Sequence, residues 1–262
     1  MRGRAMNHPH LLTILLFVMF LWSLTRIDWG GSLVQAGGFS AIGEFAVALL
    51  RIDLAPNVIL ASLQASWVTI TYAFAGLSVA LALGLPLGVI GSGVLAKDSR
   101  SRKISVVSGR FSLASMRSVH ELVWAWLFVA SFGLSPIAAV LALAIPYGGI
   151  LGRIFSELLQ DVSVRPLLAL RRSGASEWHV LVYGRFPMAL PDLLSYTFYR
   201  LECGIRSAAI MSFIGLGGLG HQIQLALDDL AYERVWTSLL FLIVLVVVVD
   251  AWSTSVRRRI TQ

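Results

Sequence analysis

The chain is poor in the residues that carry catalytic or metal chemistry. It has one cysteine, Cys203, set in an apolar stretch, which excludes a disulfide framework or a cysteine-based metal centre, because each needs a second sulfur or ligand. His8, His10, His120, His179 and His221 are scattered without metal-ligand spacing, and no Ser-His-Asp order can be argued from them. No G-x-x-x-x-G-K-[ST] loop is present, so no ATP is bound through a Walker site. Charge is scarce as well. Of 262 residues, 13% are charged and 57% hydrophobic, and the mean hydropathy is +0.78. That leaves too little polar surface to cover a soluble globule. These shortages predict no catalytic residue, no metal and no cofactor on this chain. They point instead to an all-α polytopic membrane protein whose surroundings include lipid. The net charge of +7 does not indicate nucleic acid, because the basic residues are spaced between apolar runs with no aromatic residues interleaved.

About six spans are expected, each needing roughly 20 apolar residues to cross about 30 Å of hydrocarbon. Residues 11–25 form the first. The stretch GGFSAIGEFAVALLRIDLAP follows, with Ile42, Phe45, Leu49 and Leu50 at helical spacing opposite Glu44, Arg51 and Asp53, the pattern of an interfacial amphipathic helix. Residues 54–96 carry no charge and read as one long helix with a polar first third, ending near GLPLGVIGSG. Residues 104–132 give the third span and 137–159 the fourth, separated by FGLSP and with Pro146 predicting a kink. Residues 187–214 give the fifth and 235–255 the sixth.

Charge asymmetry orients these spans. With the N-terminus inside, most of the 21 basic residues fall on the inner side, and Arg26, Arg51 and Arg234 fall outside. Reading 54–96 as two spans would put Lys97, Arg100, Arg102, Lys103 and Arg110 outside, against the positive-inside rule. Both termini are therefore expected in the cytoplasm. GLGGLG at 215–220 superficially matches a dinucleotide loop but follows a membrane helix rather than a strand, so it reads as a flexible turn at the outer mouth of a span.

Ionisable residues inside spans mark either a structural pair or a functional path. In the fifth span, Tyr199, Glu202 and Arg206 share a helical face and Arg200 lies about a hundred degrees away. In the third, Arg117 and Glu121 stand four apart, with Trp124 one turn on. Two readings follow: ion pairs Glu202–Arg206 and Arg117–Glu121 within the bundle, or a polar lining for an anion path.

Three segments then carry a resemblance. RSV-ELVWA at 117–125, LSYTFYR with GIRSA in the fifth span, and the loop LALRRSGASEWHVLVYGRFP resemble the permease of ABC importers of the phosphonate/phosphite type over residues 58–259. The loop matches the signature of binding-protein-dependent permeases at Ala169, Leu170, Gly174, Ala175 and Pro187. The resemblance implies a type I ABC importer permease fold in the bacterial inner membrane. It implies a homodimer, two copies of a separate ATPase that uses the ATP, and a periplasmic solute-binding protein. Residues 1–57 would supply an N-terminal span and a periplasmic amphipathic helix, and 165–186 the cytoplasmic coupling helices. Contact with the ATPase would involve Leu168, Ala169, Arg171, Arg172, Gly174, Ala175 and Pro187. The path would involve Arg117, Glu121, Trp124, Tyr199, Arg200, Glu202 and Arg206. Two departures stand out: Leu168 occupies a position that is usually Glu, and His120 one that is usually Pro. The same loop would serve a permease for amino acids or another oxyanion, and a secondary transporter would work without ATP.

Overall fold

The computed structural model describes residues 9–27 and 38–260, which contain only helices and their connections. The chain divides between Val47 and Ala48 into two compact units. The expectations for residues 1–8, including His8, lie outside the described residues.

The first unit holds α1 (Pro9–Arg26) and most of α2 (Gly38–Ala48). Within α1 the hydroxyls of Ser23 and Thr25 donate back to the carbonyls of Phe20 and Trp22, so its few polar side chains are satisfied locally. In α2, Ser40 donates to Glu44 one turn on.

The second unit begins with α3 (Pro56–Ser92), one continuous helix as the uncharged run predicts. Pro56 fits its first turn, where a missing N–H costs nothing, and Gly93 ends it at φ +64°. Serine and threonine are tolerated along it because they back-bond: Ser66 donates to the Ser62 carbonyl, and Thr69 to that of Ala65. Next come α4 (Ser99–Ser118), α5 (Glu121–Phe132) and α6 (Pro136–Asp161), the last capped by the Ser135 hydroxyl. The stretch 104–132 is thus two helices rather than one. Val119 and His120 are both extended, which breaks the hydrogen-bond ladder. His120 sits at φ −66°, the angle proline would impose, and its Nδ1 accepts from the Leu122 N–H to start α5.

The centre of the fold is the α3–α6 pair. A Cβ on Gly76 would lie 2.8 Å from Leu143, one on Gly84 2.8 Å from the Gly148 carbonyl, and one on Gly88 2.9 Å from the Gly152 carbonyl. The contacts advance together along both helices, so α3 and α6 run parallel, and α4–α5 provide the crossover. Small residues carry this interface because lipid supplies no hydrophobic drive between helices, and close backbone approach yields the dispersion energy instead. Leu113 of α4 is fully buried and fills the space beside Gly91 and Gly152. Outward-facing residues stay apolar, as Leu60, Leu63 and Trp67 on α3 and Ile243, Val244 and Val247 further along show.

After α6 the chain forms α7 (Val164–Arg172) and α8 (Glu177–Val180). One π-helical turn over Leu181–Arg185 runs directly into α9 (Phe186–Met211). A short 3-10 turn at Ser212–Ile214 leads to α10 (Leu219–Asp228), bent by 40° from the preceding helix, and α11 (Tyr232–Ile260) closes the fold. By length and apolarity α3, α6 and α11 suffice to span a membrane, and the bent α8–α10 segment adds a fourth span if counted as one.

The glycine run 215–220 is closely packed. Gly215, Gly217 and Gly218 take positive φ, and a Cβ on Gly218 would sit 2.8 Å from the Thr69 hydroxyl. The first N–H groups of α10 are satisfied from other helices: Leu219 donates to Thr69 Oγ1 and Gly220 to Ser212 Oγ, at 3.0 and 2.9 Å.

Candidate functional site

Two places gather polar side chains that the bundle itself does not require. The first is a chain of contacts joining α5, α6 and α9. Glu121, in the first turn of α5, accepts from the Ser207 hydroxyl of α9 at 2.7 Å. Ser207 accepts in turn from the Tyr147 hydroxyl of α6 at 3.0 Å. Over the Tyr147 ring lies the Arg200 guanidinium, 5.0 Å from its centroid and 5.9 Å from that of Tyr196, with one N–H donated to the Tyr196 hydroxyl. Pro146 and Gly148 flank Tyr147 within α6, and the bare glycine lets α3 approach, a Cβ there lying 3.3 Å from the Ala80 carbonyl.

Charge balance distinguishes Arg200, Glu202 and Arg206 of α9. Glu202 is buried and bonded to Arg257 of α11 at 2.8 Å. The expected Glu202–Arg206 pair does not form: Arg206 is exposed on α9 and reaches only the Cys203 sulfur at 3.6 Å. The expected Arg117–Glu121 pair is also absent. The break at Val119–His120 destroys the one-turn spacing, leaving Arg117 exposed at the end of α4 while Glu121 turns to Ser207. Arg200 differs from these residues. Among the described residues it meets aromatic rings and a phenol but no carboxylate, and its Nε is buried without a partner. The Trp124 Nε1, one turn along α5 from Glu121, is likewise buried and unpaired. Tyr199 is exposed, 5.8 Å ring to ring from Tyr196. Tyr147, Tyr196, Ser207 and Arg257 were invisible to reasoning from charge spacing, because three are neutral and the fourth lies in the terminal basic run.

The second place is the elbow formed by α7 and α8. Helix α7 ends in a double turn: Gly174 N–H donates to the Arg171 carbonyl and Ala175 N–H to that of Leu170, with Gly174 at φ +85°. That left-handed position is why glycine stands there. Ser176 caps α8, and Arg171 grips Glu177 through two bonds of 2.9 and 2.8 Å, which fixes the angle between the two short helices. This fork also holds the Arg171 pKa above its ordinary value. Leu167 is fully buried, and a Cβ on Gly184 would come within 2.8 Å of it, so the glycine in the π turn is the notch in which α7 seats. Arg185 donates to the Leu159 carbonyl at the end of α6, tying the elbow to the central helix pair. The outer surface keeps Leu168, Ala169, Arg172, Trp178 and Tyr183 exposed, and Pro187 is exposed in the first turn of α9. No cluster of three or more His, Cys, Asp or Glu suited to a metal occurs among the described residues.

Residues 84–262 match the family described as binding-protein-dependent transport system inner membrane component. A putative phosphite transport system permease protein, HtxE of Stutzerimonas stutzeri, is 32% identical over 158 residues, 60% of this chain and 60% of that protein. The phosphite transport system permease protein PtxC of the same species is 29% identical over 198 residues, 74% of this chain and 70% of that protein. The methionine transporter MetNI, solved in inward-facing conformations, contains a chain of the same fold, with a TM-score of 0.70 at 18% identity, covering 80% of this chain and all of that one.

Proposed function

Because the chain belongs to the binding-protein-dependent transport system inner membrane components, we propose that it is the membrane permease through which an ABC importer takes up phosphite, phosphonate or a related phosphorus oxyanion. Such a permease is a transporter component rather than an enzyme; it works with an ATPase and a solute-binding protein encoded as separate chains. In this reading two copies of the permease assemble with two ATPase subunits, and both termini face the cytoplasm. Residues 58–259 form the transmembrane domain, after an N-terminal span and an amphipathic helix.

The observation that carries the substrate class is the uncompensated charge of Arg200. A guanidinium inside a bundle is expensive unless something neutralises it. Glu202 is already neutralised by Arg257, whereas Arg200 is held by rings with donors left over. A tetrahedral oxyanion supplies what is lacking, because guanidinium pairs with it through charge-assisted, often paired hydrogen bonds. Glu121, Ser207 and Tyr147 form a hydrogen-bonded chain at the side of Arg200, with Trp124 one turn further along α5. The relatives named for phosphite transport agree with this chemistry. The pathway residues assigned from sequence narrow accordingly. Arg200 is linked to Glu121 only through Tyr147 and Ser207, with Trp124 one turn along α5 from Glu121, Glu202 serves the scaffold, and Arg117, Tyr199 and Arg206 lie on exposed surface where a second copy would meet them.

The elbow is the handle for the ATPase. Its fork-locked angle makes it rigid, and exposed Leu168 and Trp178 beside Arg172 suit a groove in the helix-in-groove manner. With Leu168 where the family usually has Glu, apolar contact takes the place of a charge at that point. ATP-driven closure of the ATPase dimer would move the elbow and alternate the access of the Arg200 site.

Reconstitution of the chain with its ATPase and binding protein in vesicles tests the reading. Arg200→Gln is expected to lower phosphite uptake about tenfold or more, from the loss of a charged hydrogen-bonding group, while the assembled complex is recovered intact. Uptake that persists with a catalytically dead ATPase would exclude an ABC importer, and undiminished uptake by Arg200→Gln would move the pathway elsewhere.

A further inference from the structure

A second cationic cluster lies away from the polar chain, where the elbow meets the α3–α4 connection. A cavity of about 280 Å³ opens there, lined by Gly93, Arg102, Gln160, Arg171 and Arg185 among others, and no carboxylate lines it. The three arginines come from three different places: Arg102 from the first turn of α4, Arg171 from the end of α7, and Arg185 from the π turn. Their charge is only partly met. Arg171 is engaged by Glu177, but Arg102 has no side-chain partner among the described residues. Arg185 gives one Nη1 hydrogen bond to the Leu159 carbonyl, and its Nε is buried and unpaired. The Arg102 stem runs close to Gly93, where a Cβ would sit 3.1 Å from its Cγ.

Like charges converge on a cavity only at an electrostatic cost, and the guanidinium fork binds phosphate through paired, charge-assisted hydrogen bonds. We propose that this cavity binds a phosphate group, supplied either by inorganic phosphate in solution or by the headgroup of an anionic lipid. Bound there, the anion bridges α7 and the π turn to the α3–α4 connection and ties the elbow to the bundle. The elbow would then move less freely for as long as the site is filled. This inference stands apart from the transport reading: it rests on Arg102 and Arg185, neither of which belongs to the polar chain around Arg200.

The test uses the full chain in nanodiscs of zwitterionic lipid. One arm titrates inorganic phosphate by calorimetry. The other measures, by native mass spectrometry, retention of phosphatidylglycerol against phosphatidylcholine. Saturable binding in either arm is expected, weakened about tenfold or more by Arg102→Gln and weakened less by Arg102→Lys. Arg102 is exposed, so its substitution leaves the fold intact, and far-ultraviolet circular dichroism checks this. Response in the first arm assigns the site to free phosphate and response in the second to lipid. Silence in both arms, or binding indifferent to Arg102→Gln, overturns the proposal. So does binding that Arg200→Gln removes, because the anion would then sit in the polar chain.

Discussion

Removing Arg257 strands the Glu202 carboxylate inside the bundle, and the size of the penalty follows from its burial. The Glu202 side chain is 9% exposed and that of Arg257 26%, at a separation of 2.8 Å. Breaking a fully buried pair by deleting one partner costs about 3–5 kcal/mol. The quarter-exposed guanidinium puts Arg257→Met at the low end, about 3 kcal/mol, which is about a hundredfold in the folded-to-unfolded ratio. Arg257 also donates to Thr254 Oγ1, so the single substitution mixes contributions. A double-mutant cycle with Glu202→Gln isolates the pair and is expected to return a coupling of about 1–3 kcal/mol. Unfolding titrations in detergent micelles, followed by tryptophan fluorescence, supply the free energies. The control is Arg206→Ala, which changes an exposed side chain and is expected to cost less than about 0.5 kcal/mol. If Arg206→Ala proves as costly as Arg257→Met, or the cycle closes without coupling, Glu202 is held by its own helix and the cross-helix pair is refuted.

Two further outcomes follow from the geometry. Gly84→Ala places a methyl 2.8 Å from the Gly148 carbonyl, and backbone cannot swing aside. The overpacking cost of about 1–3 kcal/mol exceeds the roughly 1 kcal/mol gained in helix propensity, so the unfolding midpoint falls; a rise would mean that α3 and α6 are not in backbone contact. Asp53 accepts from the Ala55 N–H and then from Arg234, which hold its carboxyl below 3.8. A depressed carboxylate pKa stabilises above the unfolded value and loses its contribution as pH falls through the folded one. The midpoint difference between wild type and Asp53→Asn is therefore expected to be level near neutral pH and to close below about pH 4. A pH-independent difference would remove Asp53 from that role.

Leu168 illustrates how far sequence reaches into the elbow. The signature positions Ala169, Leu170, Gly174, Ala175 and Pro187 were legible in the sequence. The π turn was not, because its widening answers to the fit of Leu167 and Leu170 against Gly184, a contact between chain segments some fifteen residues apart. Charge spacing along α9 suggested Glu202–Arg206, since i and i+4 are neighbours on any helix. The fold instead offered Glu202 a partner on another helix.

Apolar run length and the signature loop determined that this is a helical inner membrane component of a binding-protein-dependent transport system, because a lipid environment forces backbone groups to pair within each segment. Tertiary structure alone decided which charges are neutralised. It matched Glu202 to Arg257, broke the Arg117–Glu121 spacing at His120, and left Arg200 among rings with donors unspent. The physical reason is that a carboxylate inside a bundle takes whatever cation packing brings within 3 Å, and no pattern along one helix encodes what another helix will present.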